Sequence, residues 1–248
     1  MGTARLHGGA AAVTAVAMLA TPFAGRGGAG RRALSSLVVG GLFATTTAAT
    51  GRRWGPSRAG IAATAVSAAT GLIEIVGVRT GRPFGRYRYT DALQPQIAGV
   101  PVIVPLAWTA MAVPARETAH AALGARSNPI ARVVAGAASL AAWDLFLDPQ
   151  MVGEGYWCWL TPGRYRGIPR SNFVGWFATG LAVMAALEDV LPPADPVPEL
   201  VAEYGVMGAM ETVAFSSFLG DARVALIGGV SMVPVSVLAA VRLVGQRS

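Results

Sequence analysis

Long apolar runs are the feature that most restricts how this chain can fold. They alternate with short polar connections along nearly the whole sequence, and most approach the roughly 20 residues that a helix needs to cross a bilayer. We predict an all-α polytopic membrane bundle of seven or eight transmembrane helices, organised as one domain over residues 1–248. The predicted spans are 8–25, 33–50, 59–78, 99–115, 130–147, 171–191, 200–220 and 222–244.

Charged residues are scarce and lie mainly between these runs. Only 13% of the residues are charged, against about 25% in soluble domains, and all 20 basic residues are arginines. The arginines flank apolar spans instead of forming one soluble basic face, so we expect lipid headgroups as neighbours and no nucleic acid. The first run has the length of a signal peptide, but further spans follow it directly and we expect a retained helix.

Residue types that are missing or rare exclude several kinds of protein. A chain without lysine cannot hold retinal as a Schiff base. Two histidines and one cysteine are too few for a histidine-rich metal centre or an intrachain disulfide. The sequence also contains no phosphate-binding glycine loop and no GxSxG elbow.

Glu74 and the segment after it form the first concentration of unusual residues. A charged carboxylate near the bilayer centre costs about 2.5–3.5 kcal/mol, so Glu74 either pairs with Arg79 or another arginine near the interface, or has a function. The following GRPFGRYRY is too rich in glycine and proline for a helix, and we expect a non-helical or re-entrant loop near 79–98. Tyr87 and Tyr89 alternate with arginines there, which favours an interfacial strand with its rings at headgroup depth.

Three prolines, at positions 101, 105 and 114, interrupt the fourth apolar run. A proline removes one backbone hydrogen bond and bends a helix, so we expect a groove beside this span. Trp108 either lines that groove or packs against lipid.

The segment AAWDLFLDPQMVGEGYWCW, residues 141–159, places three acids among aromatic residues. If the fifth run is helical, Asp144 lies in its last turn, and Asp148 with Pro149 fits the N-cap of a new helix. If the helix persists instead, the two carboxylates lie about 6 Å apart and cannot both ionise cheaply in an apolar site. One then stays protonated at neutral pH and can act as a general acid.

Aromatic residues stand beside these acids in the sequence. Trp143, Tyr156, Trp157 and Trp159 either form a belt at the membrane surface or present ring faces to a cation. Rings that face a cation beside an acid favour an enzyme that protonates an alkene. The sequence has no recognisable nucleophile or nucleotide loop that would indicate other chemistry. The rings would then stabilise the resulting cation.

Three sequence blocks resemble the integral-membrane carotenoid biosynthesis family: TGRPFGRYRYTDALQPQIAGVPVIVPLAW (80–108), WDLFLDPQMVGEGYWCW (143–159) and GIPRSNFVGWF (167–177). The resemblance implies addition of water to the terminal C1=C2 double bond of a linear (psi) carotenoid end group, without any metal or other cofactor. It implies a carotenoid, water and the lipid bilayer as partners, and association with other enzymes of the carotenoid pathway. A bacterial-type cytoplasmic membrane is the expected location.

For this reaction we expect particular roles for the acids and rings. Asp144, the deepest in its apolar helix, is the expected proton donor. Asp148 or Glu154 would orient the water and accept its proton, with Glu74 as a partner from a facing helix. The residues expected to bind substrate or water are Trp108, Trp143, Tyr156, Trp157, Tyr87 and Asn172. Asn172 equally fits, with Ser171, a helix N-cap pair.

Two other interpretations stay open. Asp144 and Asp148 form a DxxxD spacing, which membrane prenyltransferases use to hold Mg²⁺ and a diphosphate, although no second such motif occurs in this sequence. A protein that binds or assembles carotenoids without catalysis would use its acids only structurally. Expression in a lycopene-producing host separates these interpretations, because only a hydratase adds water to the pigment.

Overall fold

The computed structural model describes residues 2–245, with side chains from residue 8 onward. Within this range eight α-helices and four short β-strands form, which confirms the predicted all-α class. The helices are α1 (Gly2–Ala20), α2 (Ala29–Trp54), α3 (Pro56–Thr80), α4 (Ile103–Leu123), α5 (Pro129–Gly153), α6 (Arg170–Val190), α7 (Pro198–Ser217) and α8 (Ala222–Gly245). The strands are β1 (Tyr87–Tyr89), β2 (Gln96–Ile97), β3 (Val100–Pro101) and β4 (Trp157–Trp159).

Among the described helices, α2, α3, α5, α6 and α8 are long and apolar enough to cross a membrane. Large apolar side chains on three of them face outward: Leu72, Val174 and Leu226 are each at least 65% exposed. Large apolar side chains exposed on long apolar helices favour contact with lipid or with another protein. Together with the low charge of the sequence, this exposure identifies a helical membrane protein.

Local sequence explains where several helices begin and end. Helix α3 begins with Pro56, whose missing N–H is not needed in the first turn. The same helix ends at Gly81, which has a φ of 75° and donates its backbone N–H to the Gly77 carbonyl at 2.7 Å. Helix α7 begins with Pro198 and carries Glu199 in its first turn, where negative charge suits the helix dipole.

Helix α5 corrects the prediction at Asp148 and Pro149. A new helix was expected to begin there, but α5 continues through Pro149 to Gly153. Asp144 therefore lies in the helix interior and not in a last turn. In a bilayer, ending the helix would leave several backbone groups unsatisfied, so losing one hydrogen bond at the proline costs less.

The connection between α3 and α4 is non-helical, as predicted for residues 79–98. Strand β1 pairs antiparallel with β4, and β2 pairs antiparallel with β3. The proline prediction is only partly right, because Pro101 lies in β3 and Pro105 lies in the first turn of α4. Only Pro114 occupies the interior of that helix.

The chain divides into two compact units, each made from two separate stretches. Unit 1 holds the chain up to Ala110 together with Gln150–Asn172; in it α1 packs on α2, α2 on α3, and β1 on α3. Unit 2 holds Met111–Pro149 and the chain from Phe173 onward, and there α7 packs on α8. Part of its apolar core is formed by Ala121, Ala122, Val201 and Ala239. A single domain over 1–248 stays a prediction.

Candidate active site

Glu74 places a buried carboxyl group inside unit 1. It lies on α3 and is 4% exposed. Its Oε2 accepts hydrogen bonds from the hydroxyls of Tyr87 at 2.5 Å and Tyr89 at 2.8 Å, and its Oε1 accepts one from Trp108 Nε1 at 3.1 Å. The expected ion pair with Arg79 is wrong, since aromatic side chains supply the partners of this carboxylate.

The pairing of β1 with β4 explains how several aromatic residues reach one acid. Side chains alternate along a strand, so Tyr87 and Tyr89 share one face of β1. The register places Trp159 opposite Tyr87 and Trp157 opposite Tyr89. Tyr87 is 5% exposed, so this ring packs inside the protein, and the predicted strand is confirmed; its position at headgroup depth stays a prediction.

Ring contacts extend this group into what we call the aromatic wall: Phe84, Tyr87, Tyr89, Trp108, Trp157 and Trp159. Ring centroids lie 5.1 Å apart for Tyr87 and Trp159 and 5.6 Å apart for Tyr89 and Trp157. Phe84 closes the wall by contacting Tyr87 and Trp108 at 6.2 Å and 6.4 Å. Tyr89, Trp157 and Trp159 are partly exposed, so the wall has an accessible side while the carboxylate behind it is buried.

Glu154, another predicted catalytic acid in unit 1, forms an ion pair. Its Oε1 accepts a hydrogen bond from Arg31 Nη2 at 2.5 Å, and the two side chains are 3% and 4% exposed. Tyr156, two residues later, shares a hydrogen bond of 3.1 Å with Ser35 on α2. Glu154 and Tyr156 therefore form their side-chain hydrogen bonds with residues of α2 and not with Glu74.

Asp144 and Asp148 lie in unit 2, four residues apart on the continuous helix α5. Both are 1% exposed, and their spacing places them on one helix face, as the persisting-helix alternative required. Trp143 contacts Trp176 edge to face at 6.0 Å. Within the described part of the chain, Trp143 Nε1 has no hydrogen-bond partner. Its indole N–H is therefore a buried donor on the residue that directly precedes Asp144.

Asn172 and Ser171 occupy the first turn of α6, because this helix begins at Arg170. Their expected role as an N-cap pair is therefore wrong. Ser171 Oγ instead donates to the Phe84 carbonyl at 2.9 Å, which fixes the loop that carries the aromatic wall. Asn172 is buried, and its backbone N–H donates to the Pro169 carbonyl.

Sequence analysis missed a buried charge network in unit 2. The Glu188 carboxylate contacts three basic side chains: Arg116 at 3.0 Å, His120 at 2.6 Å and Arg132 at 2.8 Å. Arg116 also pairs with Glu117 at 2.6 Å. The available signal was RETAH at 116–120, which places three of these side chains within about one turn of an apolar helix.

This network fixes the connection between α6 and α7. Arg116 Nη2 donates to the Leu191 carbonyl at 2.6 Å, and Glu117 Oε2 accepts from the Val197 backbone N–H at 2.9 Å. These two contacts hold the two ends of a proline-rich connector that has no regular secondary structure. The network therefore has a structural role, which is to hold the connector between α6 and α7 in place.

The predicted site has no arrangement of side chains typical of a metal centre. Across the described residues, no three His, Cys, Asp or Glu side chains group in a way that could hold a metal ion. In unit 1, Glu74 meets aromatic donors and Glu154 meets an arginine instead. A reaction without metal or cofactor stays a prediction.

Fold and buried acids together define a polytopic helical membrane protein with ionisable groups inside it. Comparison with known proteins identifies the group more closely: the family model described as "Carotenoid biosynthesis protein" matches residues 33–244, and the chain belongs to this family. A curated relative, the bisanhydrobacterioruberin hydratase of Haloarcula japonica, is 35% identical over 125 residues. The match covers 50% of this chain and 42% of the relative, so the chain spans less than half of that protein's length. No solved structure matches the chain.

Proposed function

We propose that this protein adds water to the terminal C1=C2 double bond of a linear carotenoid end group and so forms a tertiary alcohol. Family membership over residues 33–244 supports a role in carotenoid biosynthesis, and the name of the aligned relative supports hydration. The structural observation that carries the proposal is the burial of Asp144 and Asp148 in helix α5 of a membrane protein.

The chemistry requires a proton, a tertiary cation and one water molecule. A proton adds to C2 and the π electrons form the new C–H bond, which leaves the positive charge on C1. The oxygen of water then bonds to C1 and releases a proton to a carboxylate, so the net change is the gain of one water. Ionisation of a carboxylic acid is unfavourable in apolar surroundings, so a buried acid can still carry a proton to donate at neutral pH.

We assign the proton donation to Asp144, because it lies inside an apolar helix and is almost completely buried. Asp148, on the same helix face, is the proposed acceptor of the proton that water releases. The ion pair with Arg31 favours a structural role for Glu154. The proposed location is a bacterial-type cytoplasmic membrane, where a hydrophobic polyene and the spanning helices share one medium.

Expression in a lycopene-producing host tests the function directly. The wild-type chain should convert the pigment into a more polar product that is heavier by one water, and conversion should survive EDTA. Unchanged pigment in cells whose membranes contain the protein would refute hydration, and carotenoid co-purifying with the protein would then identify a binder. A requirement for Mg²⁺ and a diphosphate substrate would identify a prenyltransferase instead.

Asp144→Asn tests the assignment of the donor. The amide cannot supply an acidic proton, so hydration should be lost while the protein still inserts into the membrane. Asp91→Asn is the matched control, since Asp91 is an exposed acid in the loop after β1. Wild-type turnover by Asp144→Asn would remove Asp144 from the mechanism.

A further inference from the structure

We infer that the aromatic wall of unit 1 binds a lipophilic cation, and that Glu74 strengthens this binding from behind the rings without touching the ligand. Glu74 is then a positioning residue whose effect passes through the aromatic donors. The inference goes beyond the proposed function and is independent of it, because it concerns the binding of a stable lipophilic cation and not the chemistry at Asp144.

The wall has a buried side and an accessible side. Glu74 is nearly inaccessible, and the rings of Tyr87 and Trp108 cover it. On the other side Tyr89 and Trp157 remain partly exposed, with their rings edge to face. A ligand can therefore reach ring surfaces while the carboxylate stays out of its reach.

Three hydrogen bonds of the wall run toward one acid. Tyr87 and Tyr89 donate to Oε2 of Glu74 and Trp108 donates to Oε1. A phenol or indole that donates to a carboxylate becomes more electron-rich, because electron density moves from the polarised O–H or N–H bond into the ring. The attraction between a ring face and a cation grows with that density, and it is strongest where water is excluded.

Charge placement agrees with a cationic ligand. Arg88, the basic residue of β1, projects to the opposite face of the strand and donates from Nε to Cys158 Sγ at 3.3 Å. A glutamine would keep only one of the two oxygens on which Glu74 accepts hydrogen bonds, and it would remove the carboxylate charge. An ionised Glu74, held by three hydrogen-bond donors, would add a negative field behind the rings, and only a positively charged ligand would benefit from that field.

A pair of matched probes separates charge from shape. One is a long-chain N,N-dimethylalkylamine, which is protonated at neutral pH; the other is its hydrocarbon isostere with carbon in place of nitrogen. Binding is measured by calorimetry to the full chain in nanodiscs of zwitterionic lipid, with empty nanodiscs as the blank. The wild-type protein should bind the amine about tenfold or more tightly than the isostere, in line with desolvated cation–π attraction.

Variants of the wall then test the role of Glu74. Glu74→Gln should remove most of the preference for the amine and leave the affinity for the isostere unchanged. Tyr89→Phe, which keeps the ring but deletes one hydrogen bond to Glu74, should reduce the preference partly. Asp91→Asn is the control and should leave both affinities unchanged. If Glu74→Gln does not fold, the result for Tyr89→Phe decides.

Each outcome either supports or overturns the inference. Equal affinities of the wild-type protein for the two probes would overturn it, and so would a Glu74→Gln or Tyr89→Phe variant that retains the full preference for the amine. A Glu74→Gln variant that weakens both probes equally would show a purely structural carboxylate. Because binding needs no turnover, cation selectivity without hydration would refute the proposed function alone, and hydration without cation selectivity would refute the aromatic wall alone.

Discussion

Replacing Arg31 with methionine should lower the free energy of unfolding by about 3–5 kcal/mol, because it leaves the Glu154 carboxylate buried without its counter-charge. The magnitude follows from the geometry of the pair, in which both side chains are at most 4% exposed and the nitrogen and oxygen lie 2.5 Å apart. An exposed pair would contribute only about 0.2–1 kcal/mol. Arg58→Met, at an exposed arginine of α3, should change stability by less than about 0.5 kcal/mol.

The double variant Arg31→Met/Glu154→Leu removes both charges and should recover to within about 1 kcal/mol of the wild type, since apolar replacement of a buried pair is often neutral. Titration of the protein with SDS in mixed micelles, followed by tryptophan fluorescence, measures these free energies. A loss below about 1 kcal/mol for Arg31→Met would refute the burial of the pair. If the double variant is stable and still hydrates carotenoid, Glu154 has only a structural role. If it is stable but inactive, Glu154 takes part in the reaction.

The same titration tests two contacts in unit 2. Gly228→Ala should cost about 1–3 kcal/mol, because the added Cβ would lie 2.5 Å from the Phe146 ring; Gly60→Ala, which has open space around it, should be neutral or slightly stabilising. Equal effects of the two alanines would contradict the close approach of α8 to α5. Tyr204→Phe should cost about 0.5–1.5 kcal/mol by deleting the 2.7 Å hydrogen bond to the Ser139 carbonyl, and unchanged stability would contradict that bond.

The helices could be predicted from the sequence because a bilayer leaves few alternatives for long apolar runs. The strand at Tyr87–Tyr89 was predictable for a similar reason, since Gly81, Pro83 and Gly85 exclude a helix and the aromatic residues alternate. In both cases the signal is local and the number of allowed backbone structures is small.

The partners of the acids could not be predicted in this way. Glu154 meets Arg31 across 123 residues of sequence, and Glu74 meets Trp108 across 34. A local pattern reports that a side chain is buried but not which distant side chain it meets. The same limit explains why Glu74 was expected to pair with the neighbouring Arg79 and why the partners of Glu188 were not anticipated.

At Pro149 the local signal was clear and still gave the wrong result. An aspartate followed by proline is typical of a helix start, yet α5 continues through both residues. The tertiary environment outweighed the local preference, because the surrounding chain gains more from an unbroken helix than from a cap. The interior position of Asp144 follows from this continuation.

The pairing of β1 with β4 has a consequence for biogenesis. Arg88 and Cys158, which face each other in the strand register, lie 70 residues apart, and all of α4 and α5 separates them in the chain. During translation β1 therefore emerges long before its partner strand, and the rings of Trp157 and Trp159 join those of Tyr87 and Tyr89 only after both intervening helices have been synthesised. A ribosome-bound chain that stops after α5 would hold Glu74, Asp144 and Asp148, yet it would lack Trp157 and Trp159, two of the six residues of the wall.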